Sequence, residues 1–99
     1  MNYYFIISVS FQPGKNRRDY EDYIGMVRPI VETYGGAYVV RDEKIEYLGN
    51  SWHPDRVIVI RFPDRESIDR CFSSEEYKQI MSKRTDTVES QAIIVSGVE

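Results

Sequence analysis

The sequence predicts an α+β fold: a four-stranded antiparallel sheet with helices on one face and the other face bare. Tyr3–Val9, Val57–Ile60, Ala92–Val95 and, more weakly, Ala37–Val40 are apolar in both alternating registers. Successive strand side chains point to opposite faces, so these four runs describe a sheet that is apolar on both sides. Only two helical regions are available to cover it, enough for one face. The other face calls for a partner, most simply a second copy of the chain.

The elements follow in order. Tyr3, Phe5, Ile7, Val9 and Phe11 form one face of a first strand, while Tyr4, Ile6, Ser8 and Ser10 form the other, apolar only in its first half. Gln12-Pro13-Gly14-Lys15 is turn chemistry, and Asn16, with Asp19 three residues on, caps a helix running to about Tyr34. Tyr20, Tyr23, Ile24, Val27, Val31 and Tyr34 recur every three or four residues and put one stripe on the sheet. Pro29 removes a backbone donor inside that stripe, which predicts a bend rather than a break, and Gly35 ends the helix.

Ala37 to Gly49 reads as a second, long strand kinked at Asp42-Glu43. A loop over 50–55 leads to a third strand from Arg56 to Phe62. Asp64 then caps a helix whose inner face is Ile68 and Phe72. Ser73, two residues and Glu76 form a capping box that splits this helical region into two pieces, the second carrying Tyr77, Ile80, Met81 and Arg84 along one side. Gln91 to Val98 is the last strand. This order is the ferredoxin-like βαββαβ unit, a single domain over residues 1–99, and two bare faces packed together make a dimeric α/β barrel.

Composition narrows the partners. Thirteen Lys and Arg against 16 Asp and Glu give a net charge of -3, which offers no general field for phosphate backbones and argues against nucleic acid. The apolar runs are far shorter than the roughly 20 residues that span a bilayer, so no membrane partner is expected. One cysteine, Cys71, makes no internal disulfide, and no basic-then-apolar segment opens the chain, so a cytoplasmic location is expected.

Tyr34-Gly35-Gly36, Arg41, Glu46, Gly49, Trp52, Pro54, Arg56, Phe62-Pro63, Ser74-Glu75-Glu76-Tyr77 and Arg84 together resemble the uncharacterised bacterial family known as domain of unknown function 1330. The likeness covers nearly the whole chain. It implies the dimeric α/β-barrel group, whose members include cofactor-independent monooxygenases, haem-degrading enzymes and isomerases, so it selects a small-molecule cleft and no one reaction. The family pattern has a tryptophan and often a tyrosine where this chain has Cys71 and Phe72, and proline where it has Glu75, so a pocket lined by that ring is altered here.

Arg41, Arg56 and Arg84 with Glu46 match family positions, and guanidinium groups at a cleft would hold a carboxylate or phosphate. The plain alternatives are an Arg56–Glu46 ion pair across neighbouring strands and Arg84 serving the carbonyl end of its own helix. His53 is the one residue that ordinarily titrates near neutrality and is the candidate acid or base, against the plain reading of a solvent-exposed loop histidine. Trp52 is either a loop anchor or a stacking platform, and Tyr77, like Tyr23, either a core-edge ring or part of a site. Cys71 reads as a small buried hydrophobe. One His and one Cys make no protein-only metal site, and no glycine-rich phosphate loop is present, so no metal and no cofactor is expected.

The expectation is a homodimer, joined through the helix-free sheet face, that binds a small organic compound, anionic or neutral, or acts on one without a cofactor. Its cleft lies between sheet and helices, lined by tyrosines and approached by Arg41, His53 and Arg84. The alternatives are a ligand-free structural or regulatory dimer, and an RNA-binding module stacking bases on Tyr3, Tyr4 and Phe5, which the acidic balance opposes.

Overall fold

The computed structural model describes residues 1–99. Strands β1 (Tyr3–Phe11), β2 (Ala37–Asp42), β3 (Arg56–Phe62) and β4 (Val88–Ser96) form one antiparallel sheet in the order β2-β3-β1-β4. Helix α1 (Arg17–Thr33) follows β1, and α2 (Arg65–Phe72), α3 (Glu75–Ile80) and α4 (Ser82–Thr85) link β3 to β4. This is the ferredoxin-like arrangement. At 37 × 34 × 16 Å the molecule is two layers thick, with the helices on one face of the sheet.

Local chemistry explains the boundaries. The Asn16 side chain accepts a hydrogen bond from the Arg18 amide at 2.9 Å and starts α1. The helix runs without interruption through Pro29 to Thr33, and Gly35 takes φ +87 to turn the chain out of it. Gly36 follows in a site with no room: a Cβ there would overlap Val31 Cγ1 and come within 3.0 Å of the Phe62 ring.

Five features differ from the sequence reading. β2 ends at Asp42, because Asp42 Oδ1 accepts from the Glu43 and Lys44 amides and closes a turn, while Glu43 pairs with Arg17; residues 43–55 are a loop and not strand. The irregularity in β2 lies between Tyr38 and Val40 instead of at Asp42-Glu43. Helix α3 is capped by Ser74, whose hydroxyl accepts from the Tyr77 amide at 3.2 Å; Glu76 closes no box and accepts instead from the Tyr34 hydroxyl at 3.1 Å. A third helical piece, α4, adds to the two expected, and β4 begins at Val88 rather than Gln91, since Val88 is buried opposite Phe11.

The core sits between the sheet and the helices. Val9, Ile58, Ile60, Phe62 and Val88 of the sheet meet Tyr20, Tyr23, Ile24, Val27 and Val31 of α1 and Ile68, Cys71 and Tyr77 of α2 and α3, all buried. On the opposite side the register places Tyr4 and Ile6, Val57 and Val59, Val40, and Ile93 and Val95. Val40, Ile93 and Val95 are 43, 60 and 43% exposed, unusual for three β-branched aliphatic residues on one face. Tyr3 and Phe5 pack toward the core, which leaves Tyr4 as the one strand aromatic on the open side.

Two glycine substitutions are expected to act in opposite directions. Gly36→Ala should cost roughly 1–3 kcal/mol through the Val31 and Phe62 overlap. Gly25→Ala, with open space around its new methyl group inside α1, should gain about 0.5–1 kcal/mol. Denaturant melts of the two variants check this, and equal effects would contradict the packing around Gly36.

Candidate functional site

The helical layer does not close fully on the sheet. A cavity of about 640 Å³ lies between them, floored by three rungs of the sheet and roofed by α1, α2 and α3. The rungs follow from the register: Arg56, Val9 and Ser90; then Ile58, Ile7 and Ala92; then Ile60, Phe5 and Ile94. Ala92 and Ile94 line the cavity yet remain exposed, so it opens over β4, the edge strand that the short helices α2–α4 leave largely uncovered.

The Phe72 ring stacks on Phe5 at 4.6 Å and meets Tyr77 edge-on at 5.0 Å, so the wall at this point is apolar. Cys71 turns away into the core and is fully buried.

The polar groups gather at the other end. Tyr23 and Tyr77 hydroxyls are 2.9 Å apart, Arg84 Nε donates to the Tyr77 oxygen at 3.1 Å, and Arg84 Nη1 donates to Ser90 Oγ at 2.7 Å. Residues from α1, α3, α4 and β4 thus converge on one network. The two phenols share one hydrogen bond between them, whichever donates, so one phenolic proton is left with no protein acceptor. Burial raises the Tyr23 hydroxyl far above its usual range, and the adjoining Tyr77 hydroxyl adds to the effect. Burial also pushes Tyr20 and Tyr38 up to about 12, against the pull of Arg56 and Arg84 on Tyr20 and of Arg41 on Tyr38. These phenols are therefore proton donors near neutrality and not bases.

The structure distributes the residues singled out from sequence unevenly. Tyr77 and Arg84 line the cavity. Arg56 is buried with its guanidinium 5.9 Å from the Tyr20 ring centre and its Nε without a partner; the expected cross-strand pairing with Glu46 is absent because Glu46 lies exposed in the 43–55 loop. Arg41 stands behind Tyr38, 5.1 Å from its ring centre, and does not line the cavity. His53 is exposed and packs edge-on against Tyr47 at 4.7 Å, also away from the cavity. Trp52, 69% exposed, borders a separate polar pocket of about 370 Å³ with Ser8, Ser10, Glu89 and Gln91 at the end of the bare face.

Ser90 is absent from the sequence reading, which leaves Tyr23 open between a core-edge ring and part of a site. The signal for Tyr23 was its position on the α1 stripe, level with Tyr20; Ser90 fell outside the expected limits of the last strand. No group of three or more His, Cys, Asp or Glu side chains is placed to hold a metal ion, and no helix is long and apolar enough to cross a membrane.

Two measurements check these environments. The buried tyrosines contribute stability that is fully present below pH 10 and lost as pH rises through about 12, because the unfolded chain releases these protons first. The melting temperature should therefore fall steeply between those values, and a level profile would place the hydroxyls in water. The Cys71 thiol, raised by burial to about 11, should resist Ellman's reagent in the native protein and react on denaturation; prompt native labelling would contradict its burial.

Known structures share this architecture at low sequence identity. The RPA0582 protein of unknown function from Rhodopseudomonas palustris is 18% identical with a TM-score of 0.85, over 99% of this chain and 83% of that one. A dimeric ferredoxin-like protein of unknown function from Jannaschia sp. CCS1 is 6% identical with a TM-score of 0.81, over 98% and 100%. SnoaB, a cofactor-independent oxygenase from Streptomyces nogalater, is 8% identical with a TM-score of 0.71, over 99% and 94%. No curated protein matches the chain. The model of one family, described as "Domain of unknown function (DUF1330)", matches residues 2–98, and the chain belongs to that family.

Proposed function

We propose that this protein is a homodimer that binds a small organic compound in the cavity between its sheet and its helices. The cavity itself carries the reading. Its volume of about 640 Å³ falls within the range of small-molecule sites, and 17 of its 21 lining residues are hydrophobic, with the few polar groups converging at one end. Such a cavity is costly to leave in a core, since interiors otherwise pack to crystal density. The groups it presents include the Arg84 guanidinium, a phenolic donor and Asp69, whose carboxylate is held by Arg65, which supports binding and orienting a compound ahead of covalent chemistry on it.

The homodimer rests on the open face. Two copies of the patch formed by Ile6, Val40, Val57, Val59, Ile93 and Val95 would bury one another's side chains, and the likeness to a protein described as a dimeric ferredoxin-like protein supports the same assembly. Dimerisation through that face leaves the cavity on the far side of each sheet accessible.

Titration with N-phenyl-1-naphthylamine, a neutral dye that brightens in apolar sites, tests the cavity. The expected result is saturable enhancement that Ala92→Trp, which narrows the opening over β4, reduces severalfold while the melting transition stays cooperative. Enhancement unaffected by Ala92→Trp, or none at all, would favour the ligand-free dimer.

A further inference from the structure

The cavity is polarised along the strands, and this direction specifies its ligand. Of the three sheet rungs beneath the cavity, the first lines it with Val9 and the polar Ser90, the middle one is aliphatic with Ile58, Ile7 and Ala92, and the last is fully apolar with Ile60, Phe5 and Ile94. Ser90 is itself the anchor of Arg84. One arginine, Arg84, thus lines the cavity at its polar end, and it is not within ion-pair distance of a carboxylate: the acidic side chains that form ion pairs are those facing Arg17, Arg28, Arg65, Arg70 and Lys78. Asp69, the one acidic residue lining the cavity, is held by Arg65 at 2.9 Å.

Counting donors sharpens the point. A guanidinium has five N–H groups in a fixed fork. Arg84 uses one on Tyr77 and one on Ser90, which leaves three, together with the spare phenolic proton of the Tyr23–Tyr77 pair. Arg56 lies behind Tyr20, nine-tenths buried, and does not line the cavity. An anion supplied by a ligand would take up the remaining donors of Arg84 in charge-assisted hydrogen bonds. The rest of the lining is mostly apolar, over rungs two and three and the Phe72 wall, which favours an apolar ligand body over a polyanion or a sugar.

We propose that Arg84, with the Tyr23–Tyr77 pair, forms an anion subsite, and that the ligand is a monocarboxylate with an apolar body extending toward Phe5, Ile60 and Phe72. The first and third rungs are four residues apart along each strand, roughly 13 Å, which sets the length of that body. This assignment rests on the cavity being the binding site, and its test separates the two.

The probes are 2-naphthoate and its uncharged isostere 2-naphthamide, each used to displace N-phenyl-1-naphthylamine from the full-length protein. The expected result is that the acid binds at least about tenfold more tightly than the amide, the magnitude of a charge-assisted hydrogen-bonded pair. Arg84→Gln should bring the two affinities together, and Arg84→Lys should keep part of the preference. Should Arg84→Gln fail to fold, Ser90→Ala, which removes one of the anchors of Arg84 from an edge strand, should lower the acid-to-amide ratio severalfold, and the wild-type ratio alone decides whether a subsite exists. Equal binding of acid and amide to the wild type would overturn the anion subsite and leave the cavity reading intact. Failure of both probes to displace the dye would overturn both.

Discussion

Everything in this molecule depends on a sheet that is apolar on both faces in a chain with helices enough for one. Strands β1 and β3, at the centre, carry aliphatic side chains in both registers, and α1 with α2–α4 cover only the side bearing Val9, Ile58, Ile60 and Phe62. The consequence on the covered side is a cavity, because three short helical pieces do not span the width that one long helix on the other half does. On the uncovered side it is a patch of Ile, Val and Tyr side chains standing in water. The proposed ligand site and the proposed second copy answer the two halves of the same shortage.

The cavity has a chemical direction for a related reason. β1 stays apolar on the cavity side through Val9 and Phe11, with Ser8 and Ser10 on the open side, and the polar group at this end of the floor is Ser90 of β4. Arg84 arrives from the short helix α4 and satisfies part of its donor set on Tyr77 and Ser90. That network ties α1, α3, α4 and β4 together, so the same contacts that orient a guanidinium also close the last crossover of the fold. Phe72, stacked on Phe5 and edge-on to Tyr77, adds to the apolar part of the lining.

Much of this was legible in the sequence where local pattern and tertiary packing agree. β3 was read from Arg56 to Phe62 as it stands, since its alternation is unbroken and bounded by Asp55 and Pro63, and α1 was legible from its cap, its stripe and Gly35. The second strand was read too long because Lys44 to Gly49 contains Ile45, Tyr47 and Leu48, which look like strand until the Asp42 turn removes them from the sheet. That one error also produced the expected Arg56–Glu46 pair. Tyr77 and Arg84 were legible together because seven residues separate them along one helical side; Ser90 was not, since Glu89, Ser90 and Gln91 carry no strand signal and only pairing with Ser8 to Ser10 makes them one. The loop residues His53 and Trp52 have chemistry in their side chains alone, and sequence gives no means of placing a loop relative to a cavity.

Sedimentation velocity at micromolar concentration tests the central claim most directly. The account requires a species of twice the 11.7 kDa chain mass, shifting toward the single-chain mass when Ile93 and Val95, on the open face, are both changed to glutamate. A wild-type protein that sediments as one well-folded 11.7 kDa chain at that dilution would contradict it, because the uncovered face would then be stable in water.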